Sequence, residues 1–115
     1  MKIQEIISII SGTIVEGEAL SDREVDCAIA SDLMSDVLTL HTDKEVLLIT
    51  GLCNLQTIRT CEMSDIKTII FVRGKKMTDE MRELANENEM VVISTNLSLY
   101  RTSGLLFGAD VPGVY

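Results

Sequence analysis

Few side chains in the sequence have the type and spacing that catalysis or metal binding requires. The chain has one histidine, His41, and three cysteines, Cys27, Cys53 and Cys61, whose spacings of 26 and 8 residues match no zinc-binding or CxxC pattern. Because unpaired cysteine is commonly a small buried hydrophobic residue, we expect buried thiols. The motifs GxxxxGKS, GxxxxGKT, GxGxxG, GxSxG and HExxH are absent. We therefore expect no enzyme activity, no catalytic residue, no metal site and no cofactor.

A basic region in the middle of an acidic chain is the strongest indication of a ligand site. Residues 46–76 carry five basic and two acidic side chains, a net charge of +3, whereas the whole chain has a net charge of −8. Polar residues there follow apolar runs and precede helical patterns, whose first N–H groups favour an anion. The candidate ligand-binding residues are Thr50, Gly51, Asn54, Arg73, Gly74, Lys75 and Thr95. The alternative is that these residues only shape short loops and cap helices.

Three continuous apolar runs must position these residues, namely Val46–Ile49, Thr68–Val72 and Val91–Ile93. Their first residues are 22 and 23 residues apart, and helical patterns beginning near Asn54, Thr78 and Asn96 follow them. Strands that are apolar on both faces are typical of parallel sheets, which place ligands beyond their carboxyl ends. We therefore expect a small single α/β domain, with a mainly parallel sheet flanked by helices.

The first 45 residues predict further short strands and helices that belong to the same domain. Isoleucines at helical spacing predict a helix over 2–10 that Gly12 closes, and a short strand follows at Thr13–Val15. A second strand is expected at Val25–Ala30. Ser31 would then cap a helix whose apolar stripe begins at Leu33, and Asp32 would be the acidic residue of its first turn. We expect the domain to cover residues 1–107 and residues 108–115 to form a loosely held tail.

Composition limits the partners and the compartment. A chain of 115 residues and 12.7 kDa argues for one domain. A net charge of −8 and 3% aromatic residues argue against a nucleic-acid partner, because such a surface repels phosphates and stacks few bases. No apolar run approaches the roughly 18 residues of a membrane span, and no signal-peptide pattern opens the chain. We expect a cytoplasmic protein with no membrane partner.

A set of segments follows one another in a fixed order over roughly residues 1–107. It begins with KIQEIISIISGTIVEG and VDCAIASDLMSDVL and continues through LLITG, IIF, VVIST and the closing helix NLSLYRTSGLLF. This ordered set resembles DRTGG-domain proteins and is similar to the N-terminal domain of HPr kinase/phosphorylase. The string DRTGG itself is absent, and the segment Arg101–Gly104 inside the predicted last helix is not equated with it.

The resemblance implies a regulatory or structural role, often as a dimer, and this chain lacks the catalytic P-loop domain of the kinase. Two functions therefore stand open. The first is a non-enzymatic regulatory or assembly module that forms a homodimer and contacts a partner protein. The second is a sensor that binds a small anion or nucleotide at the carboxyl ends of the strands. A homodimer is also expected because about five short helices must cover both faces and the edges of a sheet.

Overall fold

The computed structural model describes residues 1–115, the whole chain. Five strands and five α-helices alternate along most of it, and a single 3₁₀ turn, Glu18–Leu20, interrupts them. In chain order the elements are α1 (Ile3–Ile10), β1 (Thr13–Glu16), β2 (Cys27–Ala30), α2 (Met34–Leu38), β3 (Val46–Thr50), α3 (Leu55–Met63), β4 (Thr68–Phe71), α4 (Asp79–Glu87), β5 (Val91–Ser94) and α5 (Leu99–Gly108). No helix in the structure combines the length and the apolar character that a bilayer crossing needs.

The strands form one sheet in the order β1-β5-β4-β3-β2. Strands β2 to β5 are parallel, with Leu47 opposite Thr68 and Thr68 opposite Val91, and β1 pairs antiparallel with β5. Every residue of β3 and β4 is buried, because both faces of the central strands are covered by helices. The predicted small α/β domain with a mainly parallel sheet is therefore confirmed.

The two faces of the sheet carry unequal numbers of helices. Helices α2, α3 and α4 cover one face and pack on alternate strand residues such as Leu48, Ile69 and Val92. Only α1 and α5 cover the other face, where the strands present Leu47 and Ile70 among others. Because residues alternate between faces along a strand, each apolar run supplies both cores at once. The face with two helices is left partly open beside β2.

Three of the five α-helices begin at a residue whose side chain caps them, and three helix boundaries differ from the expectation. Helix α1 ends at Ile10, and the left-handed residue that caps it is Ser11, with φ 52°, rather than Gly12. Gly12 is instead required by space, because a Cβ there would lie 2.9 Å from the Ile93 side chain. Helix α2 begins at Met34, so neither Ser31 nor Asp32 lies in it. The cap of α5 is Ser98, which accepts a hydrogen bond from the Arg101 N–H, rather than Asn96. The predicted caps Asn54 and Thr78 are confirmed at α3 and α4.

The residues after α5 are attached to the sheet, in contrast to the loosely held tail that we expected. Val111 is buried in the core beneath α5. The Ala28 N–H donates to the Pro112 carbonyl, and the Val114 N–H donates to the Ala28 carbonyl. The tail thus lies along the outer edge of β2 and satisfies part of its backbone, which is why it is held.

Candidate functional site

The seven predicted ligand-binding residues lie at one edge of the sheet, where the parallel strands end. Thr50 is the last residue of β3, and the Arg73–Lys75 turn and Thr95 follow β4 and β5. The register places Thr50 opposite Phe71 and Phe71 opposite Ser94, so the three strands end level with one another. We call these seven residues, together with Asp32, the carboxyl edge.

Asp32 is a residue of this edge that the sequence interpretation assigned to a helix. Its Oδ1 atom accepts hydrogen bonds from the Thr50 hydroxyl at 2.9 Å and from the Gly51 N–H at 2.7 Å. The N–H group that would face an anion beyond β3 is therefore already bound to a carboxylate. The signal was present in the sequence, because Asp32 follows β2, whose carboxyl end belongs to the same edge.

The turn from β3 into α3 is also closed by its own hydrogen bonds. The Thr50 hydroxyl accepts from the Leu52 N–H at 3.0 Å. The Asn54 side chain caps α3 by accepting from the Thr57 N–H at 2.9 Å, and the Thr57 hydroxyl donates to the Leu52 carbonyl at 2.6 Å. Thr50 and Asn54 thus hold the loop in shape, which is the geometric role that the sequence left as the alternative.

The turn after β4 has two consecutive residues in the left-handed region. Arg73 has φ 61° and Gly74 has φ 68°. Their N–H groups donate to the Leu97 carbonyl at 2.8 Å and the Thr95 carbonyl at 2.9 Å, so they bind the neighbouring loop rather than facing outward. This strained turn is held in place by the chain that follows β5.

Thr95 is buried and connects the carboxyl edge to the end of α1. Its hydroxyl donates to the Ile10 carbonyl at the end of α1 at 2.8 Å, across 85 residues of sequence. The same oxygen accepts from the Leu97 N–H at 3.3 Å. A buried hydroxyl with both partners inside the chain has a structural role.

The cationic side chains of the carboxyl edge, and that of the adjacent Lys76, face outward. Arg73, Lys75 and Lys76 are exposed, and no carboxylate lies within ion-pair distance of them, since the single ion pair in the structure joins Lys67 and Asp65 at 3.8 Å. Exposed cations of this kind bind anions weakly unless the ligand is partly buried.

The three thiols are unpaired, as expected. Cys27 and Cys61 are buried and Cys53 is partly buried. Burial raises the pKa of the Cys61 thiol to about 12. Burial also raises the pKa of Cys53, an effect that the Lys75 ammonium partly offsets, and raises the pKa of Cys27. Thiols in such surroundings are mostly protonated at neutral pH and are poor nucleophiles.

Comparison with known families assigns the chain. The sequence pattern of the DRTGG domain matches residues 5–108, which is nearly the whole chain. The chain belongs to the DRTGG domain family. No curated protein sequence matches this DRTGG domain as a relative.

A solved structure shares the fold of this DRTGG domain. It contains the CBS and DRTGG domains of the regulatory region of Clostridium perfringens pyrophosphatase, in complex with the activator diadenosine tetraphosphate. The TM-score is 0.70 at 16% sequence identity, over 91% of this chain. This chain spans 45% of the length of that one, so the match concerns part of the regulatory region.

The DRTGG domain also has an apolar groove that the sequence interpretation did not anticipate. Its volume is about 600 Å³, and it lies between α5, the tail and the part of the sheet that α1 and α5 leave open. Ala28, Ala30 and Ile49 line its sheet side, and Tyr100, Gly104 and Phe107 are among the α5 residues beside it. The available signal was the sequence of the last helix, where two aromatic residues flank a glycine in a chain that has only four aromatics.

Proposed function

We propose that this DRTGG domain is a non-enzymatic regulatory module that forms a homodimer and contacts a partner protein. The observation that carries this proposal is its likeness to part of the regulatory region of a pyrophosphatase. The Thr50 and Thr95 hydroxyls at the carboxyl edge both donate hydrogen bonds within the chain, so neither is placed as a free nucleophile. His41 is exposed in a loop.

The resemblance to the N-terminal domain of HPr kinase/phosphorylase belongs to the same proposal. It rests on the order of strands and helices in the sequence, and it would relate this chain to a part of that protein outside the P-loop domain. We also place the module in the cytoplasm. Three unpaired cysteines in a small domain fit a reducing compartment, where thiols are not oxidised to disulfides.

The test of a regulatory role begins with affinity capture from an extract of the native host. We expect the captured protein to be an enzyme or transporter whose own activity changes when the purified DRTGG domain is added. A parallel assay incubates the pure domain with labelled ATP and candidate acceptors. Phosphoryl transfer by the domain itself, retained through stringent purification, would contradict the proposal.

A sensor of small anions or nucleotides is the second candidate, and two observations favour it. Arg73, Lys75 and Lys76 project from the carboxyl edge without a carboxylate partner. The regulatory region with the same fold was solved with a nucleotide activator. On this reading the ligand would contact side-chain cations, because the backbone N–H groups of Gly51, Arg73 and Gly74 are already bonded.

A thermal-shift screen separates the sensor from the module. Inorganic phosphate, adenine nucleotides and diadenosine tetraphosphate are tested on wild type, on Arg73→Ala and on Gly74→Val. Arg59→Ala, which removes an exposed cation from α3, is the matched control. A sensor shows a stabilising shift that Arg73→Ala lowers and Arg59→Ala preserves. Equal shifts in all proteins, or none, would reject the site.

A further inference from the structure

The surface around the apolar groove exposes most of the aromatic residues of the chain. Tyr100 is 87% exposed and Phe107 is 74% exposed on α5, and Tyr115 in the tail is 90% exposed, whereas Phe71 alone is buried. Leu105 on the same helix is exposed as well. Aromatic side chains are enriched at the centres of protein interfaces, and a contiguous exposed apolar patch marks an interaction site. We call this surface, formed by α5, the tail and the open edge of β2, the α5 face.

Charge distinguishes this face from the rest of the molecule. Residues 96–115 contain one cation, Arg101, and one anion, Asp110, so their net charge is zero. The whole net charge of −8 therefore belongs to residues 1–95. Two copies of the chain that approach through any strongly acidic surface repel each other, and the neutral α5 face allows a close approach without that repulsion. A basic partner would instead be drawn to the acidic surfaces.

The shape of the α5 face provides both halves of a self-complementary contact. The groove of about 600 Å³ lies directly beside the projecting side chains of Tyr100 and Phe107. A Cβ placed on Gly104 or Gly108 would meet no other atom within 4 Å, so the helix surface is bare between the aromatics. The Ser103 hydroxyl at the groove is buried and has no hydrogen-bond partner within the chain. A two-fold contact requires a self-complementary patch, and a patch that carries a projection beside a recess meets that requirement.

We propose that the α5 face is a two-fold interface on which a second copy of this chain docks. The aromatic side chains of each copy enter the groove of the other, and the bare surface at Gly104 lets the two α5 helices lie close together. This inference rests on the proposed homodimer and adds the surface that forms it. It also explains why two helices, rather than three, cover this side of the sheet: the second copy completes the layer.

Sedimentation velocity over a range of protein concentrations tests the interface. Wild type is expected to sediment as a dimer, with twice the 12.7 kDa mass of the chain. Gly104→Glu adds a carboxylate to each copy at the centre of the face, and it should weaken the dimer at least tenfold. The folded chain tolerates it, because the position is open and glutamate favours a helix more than glycine does. Phe107→Ser should weaken the dimer by removing a projecting ring.

Leu38→Glu is the matched control, since it adds the same charge at an exposed leucine of α2 on the opposite side of the sheet. It should leave the dimer unchanged, and circular dichroism confirms that each variant is folded. If wild type is a dimer and Gly104→Glu dissociates no more readily than wild type, the interface lies elsewhere, although the proposed homodimer survives. If wild type is monomeric at every concentration, the homodimer and the α5 interface both fail.

Discussion

The carboxyl edge and the α5 face are opposite in almost every physical respect. The carboxyl edge is polar, and its hydroxyl and N–H groups are hydrogen-bonded within the chain: those of Thr50 and Gly51 donate to Asp32, and the Thr95 hydroxyl donates to the Ile10 carbonyl. The α5 face is apolar and electrically neutral, and it has a groove that no part of the chain fills. General experience with parallel sheets directs attention to the edge. The donors at this edge are already hydrogen-bonded within the chain, whereas nothing in the chain covers the α5 face.

Position in a fold identifies where a ligand can bind, whereas the hydrogen bonds already made by the polar groups there indicate whether the site is free. A buried donor or acceptor that is already paired stabilises the fold and offers a ligand little. An exposed apolar surface has the opposite meaning, because it lowers its free energy when something covers it.

Two buried threonines give the largest expected contrast. Thr95→Val removes the hydroxyl that donates to the Ile10 carbonyl and leaves that buried oxygen unpaired, so it should lower the free energy of unfolding by about 2 kcal/mol. Thr102→Val removes a buried hydroxyl that has no partner on α5. That variant should remain within about 0.5 kcal/mol of wild type or gain stability. Urea denaturation measures both, and an equal loss in the two would show that the hydrogen bond at the edge contributes nothing.

The same glycine-to-alanine change should have opposite signs in the two regions. Gly74 has φ 68°, and an added Cβ would lie 2.9 Å from the Asn96 side-chain oxygen, so Gly74→Ala should destabilise by about 1 kcal/mol or more. Gly104 lies inside α5 with open space around it, so Gly104→Ala should stabilise the monomer by up to about 1 kcal/mol. Thermal and urea unfolding report both changes. Stabilisation by Gly74→Ala would mean that the turn after β4 is not constrained as described.

The loss of stability at alkaline pH reports on the buried core, which belongs to neither the carboxyl edge nor the α5 face. The Cys61 thiol has a pKa of about 12 in the folded chain, above the value of 9.0 for an unperturbed thiol. The folded state therefore keeps its proton between pH 9 and 12 while the unfolded state loses it, and stability falls as pH rises through this window. At pH 10 the loss from this group should be about 1 kcal/mol relative to pH 8. Cys61→Ala should fall less steeply with pH than wild type, and parallel curves would refute the assignment.

Asp32 at the carboxyl edge and Asp36 on α2 should differ in their contribution to the free energy of unfolding by a similar or smaller amount. Asp32→Ala removes the acceptor for the Gly51 N–H and the Thr50 hydroxyl, and it should cost about 1 kcal/mol because the carboxylate is exposed. Asp36→Ala on α2 removes an exposed carboxylate with no such contacts and is the control. Urea unfolding measures the two variants at the same ionic strength. If both lose the same stability, the effect is one of net charge and not of the hydrogen bonds.

Much of the fold was predictable because the apolar runs and the caps are local signals. The apolar runs VLLI, TIIFV and VVI predict buried parallel strands. Asn54 and Thr78 begin helices because their side chains accept hydrogen bonds from N–H groups three residues further along the chain. The attachment of the tail was not predictable, since it depends on β2 being an edge strand with free backbone groups. Sheet order is a long-range property that the local pattern does not encode.

The position of the candidate site could be predicted from the sequence, but whether its hydrogen-bond donors are free could not. The seven residues do converge at one edge, because parallel strands of equal register end together. Whether their donors are free depends on partners such as Asp32 and Leu97, which lie 18 and 24 residues away from Thr50 and Arg73 in the sequence. The α5 groove could not be predicted either, because it also depends on long-range packing. It exists because two helices cover a face of the sheet that has room for more.

A dilution series of amide chemical shifts, recorded by nuclear magnetic resonance on the uniformly ¹⁵N-labelled chain, compares the two regions most directly. Between millimolar and micromolar concentrations, we predict that shifts change in α5, in β2 and in residues 111–115. The amides of Gly51, Gly74 and Thr95 should stay constant. Concentration-dependent shifts confined to the carboxyl edge, or none at any concentration, would contradict the claim that the α5 face is where this DRTGG domain meets a second copy of itself.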